Sequence, residues 1–385
     1  MDTNDTIIPA GAPQPTLGQR IGAAWRRLKA AFTRPRSAPA HTSLRGSAAD
    51  LPDTIDVPAR PVGPAIAEPP PPAPAPAAAP PRAPVAPAPP HPEPEFLGGE
   101  FTNDAGTRGY RLFVPGTRST ALRPLVVMLH GCRQNPEDFA TGTRMNELAQ
   151  AHGIVVLYPG QVARVNRLGC WNWFRPENQR RDSGEPSIIA ELTREVIASH
   201  WIDTRRVYVA GLSAGGSMAA VLAATYPDLY AAVGIHSGLP HAAAHNLSTA
   251  LSAMRHGPLQ RTGDGARAER QPVPTIVFHG EEDTTVHPDN GDEVIAQARW
   301  GREAQDDPDS GTGMSVERGA VPGGRTYTRT IHRDGDGRCD AEHWLIHGCG
   351  HAWSGGSAIG SYTDPLGPDA SVQMLRFFIE HPQRA

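Results

Sequence analysis

A serine stands between two glycines in the run Val207-Tyr208-Val209-Ala210-Gly211-Leu212-Ser213-Ala214-Gly215-Gly216. An apolar, β-branched stretch stops at the Gly-x-Ser-x-Gly, and an alanine-rich stretch begins directly after it. That is the layout of strand, tight turn and helix with a serine at the apex. A nucleophilic serine needs it, because its own backbone is strained there and its neighbours must lack bulk. Gly211 and Gly215 let strand and helix approach each other, and the amide of Ala214 opens the first turn of the helix. The chemistry indicated is covalent cleavage of an acyl bond. A glycine-rich strand–helix turn without chemistry has the same pattern, so the chain must also supply a base, an acid and oxyanion donors.

The base candidate is His351 in Gly350-His351-Ala352-Trp353-Ser354-Gly355-Gly356, a glycine-flanked loop after the last expected strand. The acid candidate is Asp283, just past a strand end in His279-Gly280-Glu281-Glu282-Asp283, where a carboxylate can hold the imidazole in one tautomer. Glu282 and Asp289 are nearby alternatives, and Glu281 is less well placed. Among the 16 histidines, His236 and His279 also fall at strand ends and read as structural neighbours of the site. Acyl transfer builds negative charge on oxygen, which backbone amides arranged beforehand stabilise. Ala214 offers one such amide, and Cys132 in His130-Gly131-Cys132 offers the second. No step of this chemistry asks for a metal or other cofactor.

These groups must be held by elements that end at one place. Strands are expected at Tyr110–Val114, Leu125–Leu129, Ile154–Tyr158, Val207–Ala210, Ala231–Ile235, Thr275–Phe278 and His343–His347. The central ones are near-continuous apolar runs, as strands buried on both faces require. Helices are expected at Pro136–His152, Pro186–His200 and Ala214–Tyr226. Such alternation gives a parallel sheet covered by helices on both faces, with ligands bound at the carboxyl ends of its strands.

Composition removes several function classes. The net charge of −4 gives no basic field for nucleic acid, and no apolar run is long enough to span a membrane. Lys29 is the only lysine and lies far from any glycine-rich turn, so serine–lysine, Schiff-base and P-loop chemistries are out. The chain divides near residue 93. Residues 37–94 are rich in proline and alanine and read as an extended, disordered linker, or less plainly as a docking peptide for a proline-reading partner. Before it, Leu17, Ile21, Trp25, Leu28 and Phe32 recur at steps of three and four, opposite Arg20, Arg26, Arg27 and Lys29. Residues 1–36 are thus a basic amphipathic segment. Its residues 17–36 suit attachment to an anionic surface or granule, or else form a helix that frays or caps the catalytic domain. Met1–Pro15 lacks the basic-then-apolar order of a secretory signal, so export by the general route is not expected.

From about Phe101 to Pro382 the chain resembles the polyhydroxybutyrate depolymerase family of esterases. The resemblance rests on His130-Gly131-Cys132-Arg133-Gln134, Cys170-Trp171-Asn172-Trp173-Phe174, the elbow at Ser213, His279-Gly280-Glu281-Glu282-Asp283 with Val286, and the His351 block. The order serine, aspartate, histidine is also that of the α/β-hydrolase superfamily. The resemblance implies an α/β-hydrolase fold over residues 95–385, a mostly parallel central sheet with helices on both faces behind the N-terminal extension. It also implies hydrolysis of short-chain polyhydroxyalkanoate esters by Ser213, His351 and Asp283. Related esterases act on feruloyl or acetyl groups of polysaccharides, and a thioesterase or peptidase uses the same triad. A surface-bound scaffold with an idle triad is the non-enzymatic alternative. Members of the family are often extracellular, whereas the front of this chain suits a cytoplasmic or granule-associated protein. Trp171, Trp173 and Trp353 are candidate faces for an apolar polyester, with core packing as the alternative and Trp353 the foremost candidate for the cleft. Cys132 and Cys170 both fall in family motifs, and a bridge between them would tie down the oxyanion loop; two free thiols are the alternative. Cys339 and Cys349 bracket a strand at about 3.3 Å per residue, beyond disulfide reach.

Overall fold

The computed structural model describes residues 93–117, 120–257, 273–300 and 313–384. The amphipathic segment of residues 17–36 and nearly all of the Pro/Ala linker lie outside the described residues. Residues 91–385 form a unit of their own.

Period-two apolar patterning builds the centre. β3 (Arg123–Leu129), β4 (Val155–Pro159), β5 (Ile202–Leu212), β6 (Ala232–His236), β7 (Thr275–Gly280) and β10 (Cys339–Ile346) run parallel in the order β4-β3-β5-β6-β7-β10. Alternate residues face opposite layers. Leu125, Val127, Leu129, Val207, Val209, Val233 and Val277 enter one buried cluster, while Val126, Met128, Tyr208, Ala210, Ala232 and Phe278 enter the other. Both faces are therefore apolar and both need helices. α3 (Gly184–Ser199), α4 (Ala214–Thr225), α5 (Leu247–His256) and α6 (Asp289–Ala298) bury side chains in the first cluster. α1 (Pro136–Thr143), α2 (Met145–His152) and α7 (Ala370–Glu380) do so in the second.

Each expected strand has its counterpart, but the sheet is wider and mixed. β1 (Glu95–Asn103) and β2 (Gly106–Val114) form an antiparallel hairpin on β4, and β9 (Thr326–Arg333) and β8 (Met314–Ala320) extend β10 antiparallel at the other edge. The helix expected over Pro136–His152 is two helices. Arg144 breaks it at φ 53°, drawn out by Asp369 Oδ2 at 2.6 Å and the Gly355 carbonyl at 2.9 Å. Two short strands, β11 (Trp353–Ser354) and β12 (Thr363–Asp364), pair beyond β10 in the segment that carries His351. Among the described residues no helix is long and apolar enough to cross a membrane.

Candidate active site

β5 ends at Leu212 and α4 begins at Ala214, which leaves Ser213 alone to reverse the chain. Its backbone sits at φ 57° and ψ −118°, a strained region for a residue with a β-carbon. Surrounding bonds hold it there: its amide donates to the His236 carbonyl at 2.8 Å, and its carbonyl accepts from the Ser217 amide at 2.9 Å and the Ser217 hydroxyl at 3.1 Å. A β-carbon at Gly215 would strike the Leu129 and His130 carbonyls, so only glycine lets α4 start this close to β3. Ser213 Oγ makes no hydrogen bond to the protein among the described residues.

Asp283 follows β7 and is buried. Its Oδ1 accepts from the amides of Thr285 at 2.8 Å and Val286 at 2.9 Å, which aims Oδ2 at His351 Nδ1, 2.6 Å away. Burial alone would push this carboxyl up. The charge of His351 and hydrogen bonds from His279 and His351 outweigh it and hold Asp283 well below the usual carboxylate range. The alternative acids are engaged elsewhere. Glu281 Oε2 meets His347 Nδ1 at 3.2 Å and Asp289 meets His287 at 3.3 Å, while Glu282 lies beside Asp283 in the same turn, its amide donating to the Cys349 carbonyl at 2.9 Å.

The loop after β3 is pinned beside Ser213. A β-carbon at Gly131 would come within 3.6 Å of Ser213 Cβ. The Gly131 amide donates to Gln134 Oε1 at 2.9 Å, while Gln134 Nε2 reaches Asp138 and the Ser361 carbonyl. Cys132 and Cys170 form a disulfide, and the Arg133 amide donates to the Leu168 carbonyl at 2.7 Å with Arg133 at φ 66°. The amides of Cys132 and Ala214 donate to no protein acceptor among the described residues. Two uncommitted amides flanking a strained serine can receive a negative oxygen.

Sequence reasoning missed what braces this loop. Glu185, buried at the start of α3, accepts from the Asn172 amide at 2.7 Å, from Asn172 Nδ2 at 2.8 Å, and from Gln161 Nε2 at 2.5 Å, and it pairs with the equally buried Arg108 at 3.2 Å. Gln161 Nε2 also reaches the Cys170 carbonyl at 3.1 Å, and the Gln161 amide donates to His130 Nε2. A carboxylate with four donors fixes the Cys170–Asn172 segment and, through the disulfide, the loop at Cys132. No local signal marked the pair, since β2 also carries Arg111 and α3 carries Glu191, Arg194 and Glu195.

His236 links three parts of the site. Its carbonyl holds the Ser213 amide, and its Nε2 accepts from the Ser354 amide at 2.9 Å, beyond His351 in sequence. Burial, with the neighbouring His279 and His351, keeps it well below the usual histidine range and hence neutral. His279 Nε2 donates to the Val286 carbonyl at 2.9 Å and lies 3.5 Å from Asp283 Oδ2.

The tryptophans require a correction. Trp171, Trp173 and Trp353 are 0%, 4% and 1% exposed, so none offers a face to a polymer. Trp353 was the foremost cleft candidate, yet its indole is wedged against Phe139 and His236 and donates to Ser371 Oγ at 3.1 Å. A large apolar ring gains more from a slot under α1 and α7 than from the solvent edge of the site. Trp171 packs beside His130, and Trp173 meets Phe174 edge to face.

The chain is similar to known proteins. A family model described as Esterase PHB depolymerase matches residues 108–302. Poly(3-hydroxyalkanoate) depolymerase C of Paucimonas lemoignei is 35% identical over 238 residues, 59% of this chain and 54% of that protein. The chain thus spans about half the length of that relative. Feruloyl esterase B of Neurospora crassa is 30% identical over 253 residues, 61% of this chain and 80% of that protein. An acetyl xylan esterase from Aspergillus awamori shares the fold, with a TM-score of 0.56 at 20% identity over 74% of this chain and 99% of that one.

Proposed function

The chain belongs to the esterase PHB depolymerase family and is a carboxylic ester hydrolase, and from that premise we propose that it cleaves short-chain hydroxyalkanoate esters through an acyl-enzyme on Ser213. The observation that carries the mechanism is the 2.6 Å bond between His351 Nδ1 and Asp283 Oδ2 in the loops that follow β10 and β7. Because a carboxylate can only accept, His351 keeps its hydrogen on Nδ1 and presents a lone pair at Nε2. Nε2 takes the Ser213 proton as Oγ attacks the ester carbonyl. The negative oxygen that forms lies against the amides of Cys132 and Ala214, each such donor being worth about 3 kcal/mol of barrier. Collapse of the intermediate expels the alkoxide, which receives the proton from His351. Water then repeats the sequence on the acyl-enzyme and releases the acid and free Ser213.

The similarity to depolymerase C supports a hydroxyalkanoate substrate, polymer or oligomer. A feruloyl or acetyl ester substrate is the second reading, favoured by the longer coverage of feruloyl esterase B. Parallel assays on 3-hydroxybutyrate oligomers, the polymer, methyl ferulate and acetylated xylan, with Ser213→Ala beside the parent, separate them. We expect the oligomers to be the preferred substrate and the variant to be inactive. Tenfold higher kcat/KM on ferulate or acetyl esters overturns the substrate, and an active variant overturns the mechanism. Amide and thioester analogues of one acyl group test the peptidase and thioesterase readings. Residues 17–36 are proposed to attach the enzyme to its polyester or to an anionic surface, on their sequence pattern alone. Deleting residues 1–40 should leave turnover of soluble esters intact and reduce adsorption; unchanged adsorption removes the idea.

A further inference from the structure

Next to Asp283, two imidazoles come together under one helix. His279 on β7 and His343 on β10 share one face of the sheet, since Val277 pairs with His343 and Leu345 with His279. α6 covers that face and places Gly291 over both rings. A β-carbon at Gly291 would lie 2.9 Å from His343 Nε2 and 3.1 Å from His279 Nδ1. Both nitrogens are buried and neither has a hydrogen-bond partner among the described residues. Their tautomers follow from their other contacts. His279 Nε2 faces the Val286 carbonyl at 2.9 Å, and His343 Nδ1 faces Asp292 Oδ1 at 3.1 Å. Carbonyl and carboxylate oxygens only accept, so those two nitrogens carry the hydrogens and a lone pair remains on each facing nitrogen. Two buried lone pairs brought together beneath one glycine call for a hydrogen donor.

We propose that His279 Nδ1 and His343 Nε2 hold one hydrogen donor between them beneath Gly291, and that this bridge makes His343 a positioning residue for the Asp283–His351 pair, acting through His279. The donor is either a water molecule or a proton carried on His343. The inference rests on the proposed roles of Asp283 and His351. With the bridge in place, the hydrogen of His279 stays on Nε2, where Asp283 Oδ2 lies 3.5 Å away. A hydrogen-bonded line then runs from Asp292 at the surface through His343 and His279 to Asp283 and His351. Without it, a buried lone pair on His279 Nδ1 is left unpaired, and the ring is free to turn its Nε2 away from Asp283. Asp283 then loses one donor, and its charge bears more fully on His351, which moves the acid limb of kcat/KM upward. Other titrating groups near the pair are His236 of β6, close to His279, and His332 of β9, close to His343.

Gly291→Ala presses a β-carbon against both nitrogens, and His343→Phe removes one acceptor. Each is expected to lower kcat about three- to tenfold at unchanged KM and to raise the acid limb of kcat/KM by about half a pH unit, roughly the weight of one hydrogen bond. His343→Gln, whose amide can donate to His279, is expected to restore the parent profile. Nitrogen NMR of the unmodified protein needs no variant: His279 should carry its hydrogen on Nε2 from pH 6 to 8. A bare nitrogen on His343 then identifies water as the donor, and a doubly protonated His343 identifies the proton. A hydrogen on His279 Nδ1 overturns the bridge, as do folded Gly291→Ala and His343→Phe proteins with the parent's kcat and acid limb. If Ser213→Ala is inactive in the same assay, those results sink the bridge alone; if it is active, the site reading itself has failed.

Discussion

Replacing Asp283 by asparagine changes one atom, and the structure fixes what that atom must do. Oδ1 of Asp283 accepts from two amides, Thr285 at 2.8 Å and Val286 at 2.9 Å, while Oδ2 faces His351 Nδ1 at 2.6 Å and His279 Nε2 at 3.5 Å. If the asparagine keeps its oxygen on the amides, its NH2 group points at His351. An NH2 only donates, so His351 must turn its lone pair to Nδ1 and carry its hydrogen on Nε2, where it cannot take the Ser213 proton. The opposite flip restores the acceptor for His351 but sets NH2 against two N–H groups. Leaving two buried donors unpaired costs about 1–3 kcal/mol each, or about 2–6 kcal/mol together. At about 1.4 kcal/mol per decade, the productive form falls to between one part in 30 and one part in 10⁴. Loss of the charge that stabilises the imidazolium adds to this. We therefore expect Asp283→Asn to lower kcat on para-nitrophenyl butyrate about a thousandfold or more. KM should be unchanged, because Asp283 is 5% exposed and does not touch substrate. Circular dichroism checks that the variant is folded. A folded variant within tenfold of the parent kcat would refute the assigned role.

Three further outcomes follow from the same geometry. The Cys132–Cys170 disulfide spans 38 residues, so its removal in Cys170→Ser should destabilise the protein by about 4 kcal/mol in the chain-entropy model; urea unfolding checks this, and activity should fall with the loosened loop. His236 and His130 are held below the usual histidine range, chiefly by burial, so the unfolded chain takes up protons that the folded one cannot. Stability is full above about pH 6.5 and falls as pH drops, by up to about 1.4 kcal/mol per unit for each histidine, whereas the contribution of the depressed Asp283 is lost only below about pH 4; equal unfolding free energies at pH 7.5 and 5.5 would contradict this. Gly215→Ala drives a β-carbon into the Leu129 and His130 carbonyls and should cost more than about 3 kcal/mol, visible as a lowered Tm or loss of soluble protein.

The parallel centre of the sheet was legible because Leu125–Leu129 and Val207–Ala210 are apolar on both faces, and few other structures bury such short runs. The outer strands were not. β1 and β8 are exposed along most of their length, so no burial marks them in the chain. The break at Arg144 depends on Asp369 and Gly355, more than 200 residues away. The proposed triad of Ser213, Asp283 and His351 was drawn from local motifs after strand ends, and the structure brings Asp283 and His351 into contact. Trp353 was misread for the converse reason: its neighbours Phe139, His236 and Ser371 come from three distant elements, and adjacency to His351 says nothing about them. The Glu185 brace likewise joins α3 to β2 and to two loops, a pairing that no single stretch reveals.

The central claim is that Ser213 carries the acyl group. Intact-protein mass spectrometry after rapid acid quench, during turnover of a para-nitrophenyl butyrate analogue that deacylates slowly, tests it most directly. The account requires one adduct of the acyl mass, mapped by digestion to the peptide containing Ser213 and missing from Ser213→Ala. An adduct on another residue, or the same adduct in Ser213→Ala, would contradict it.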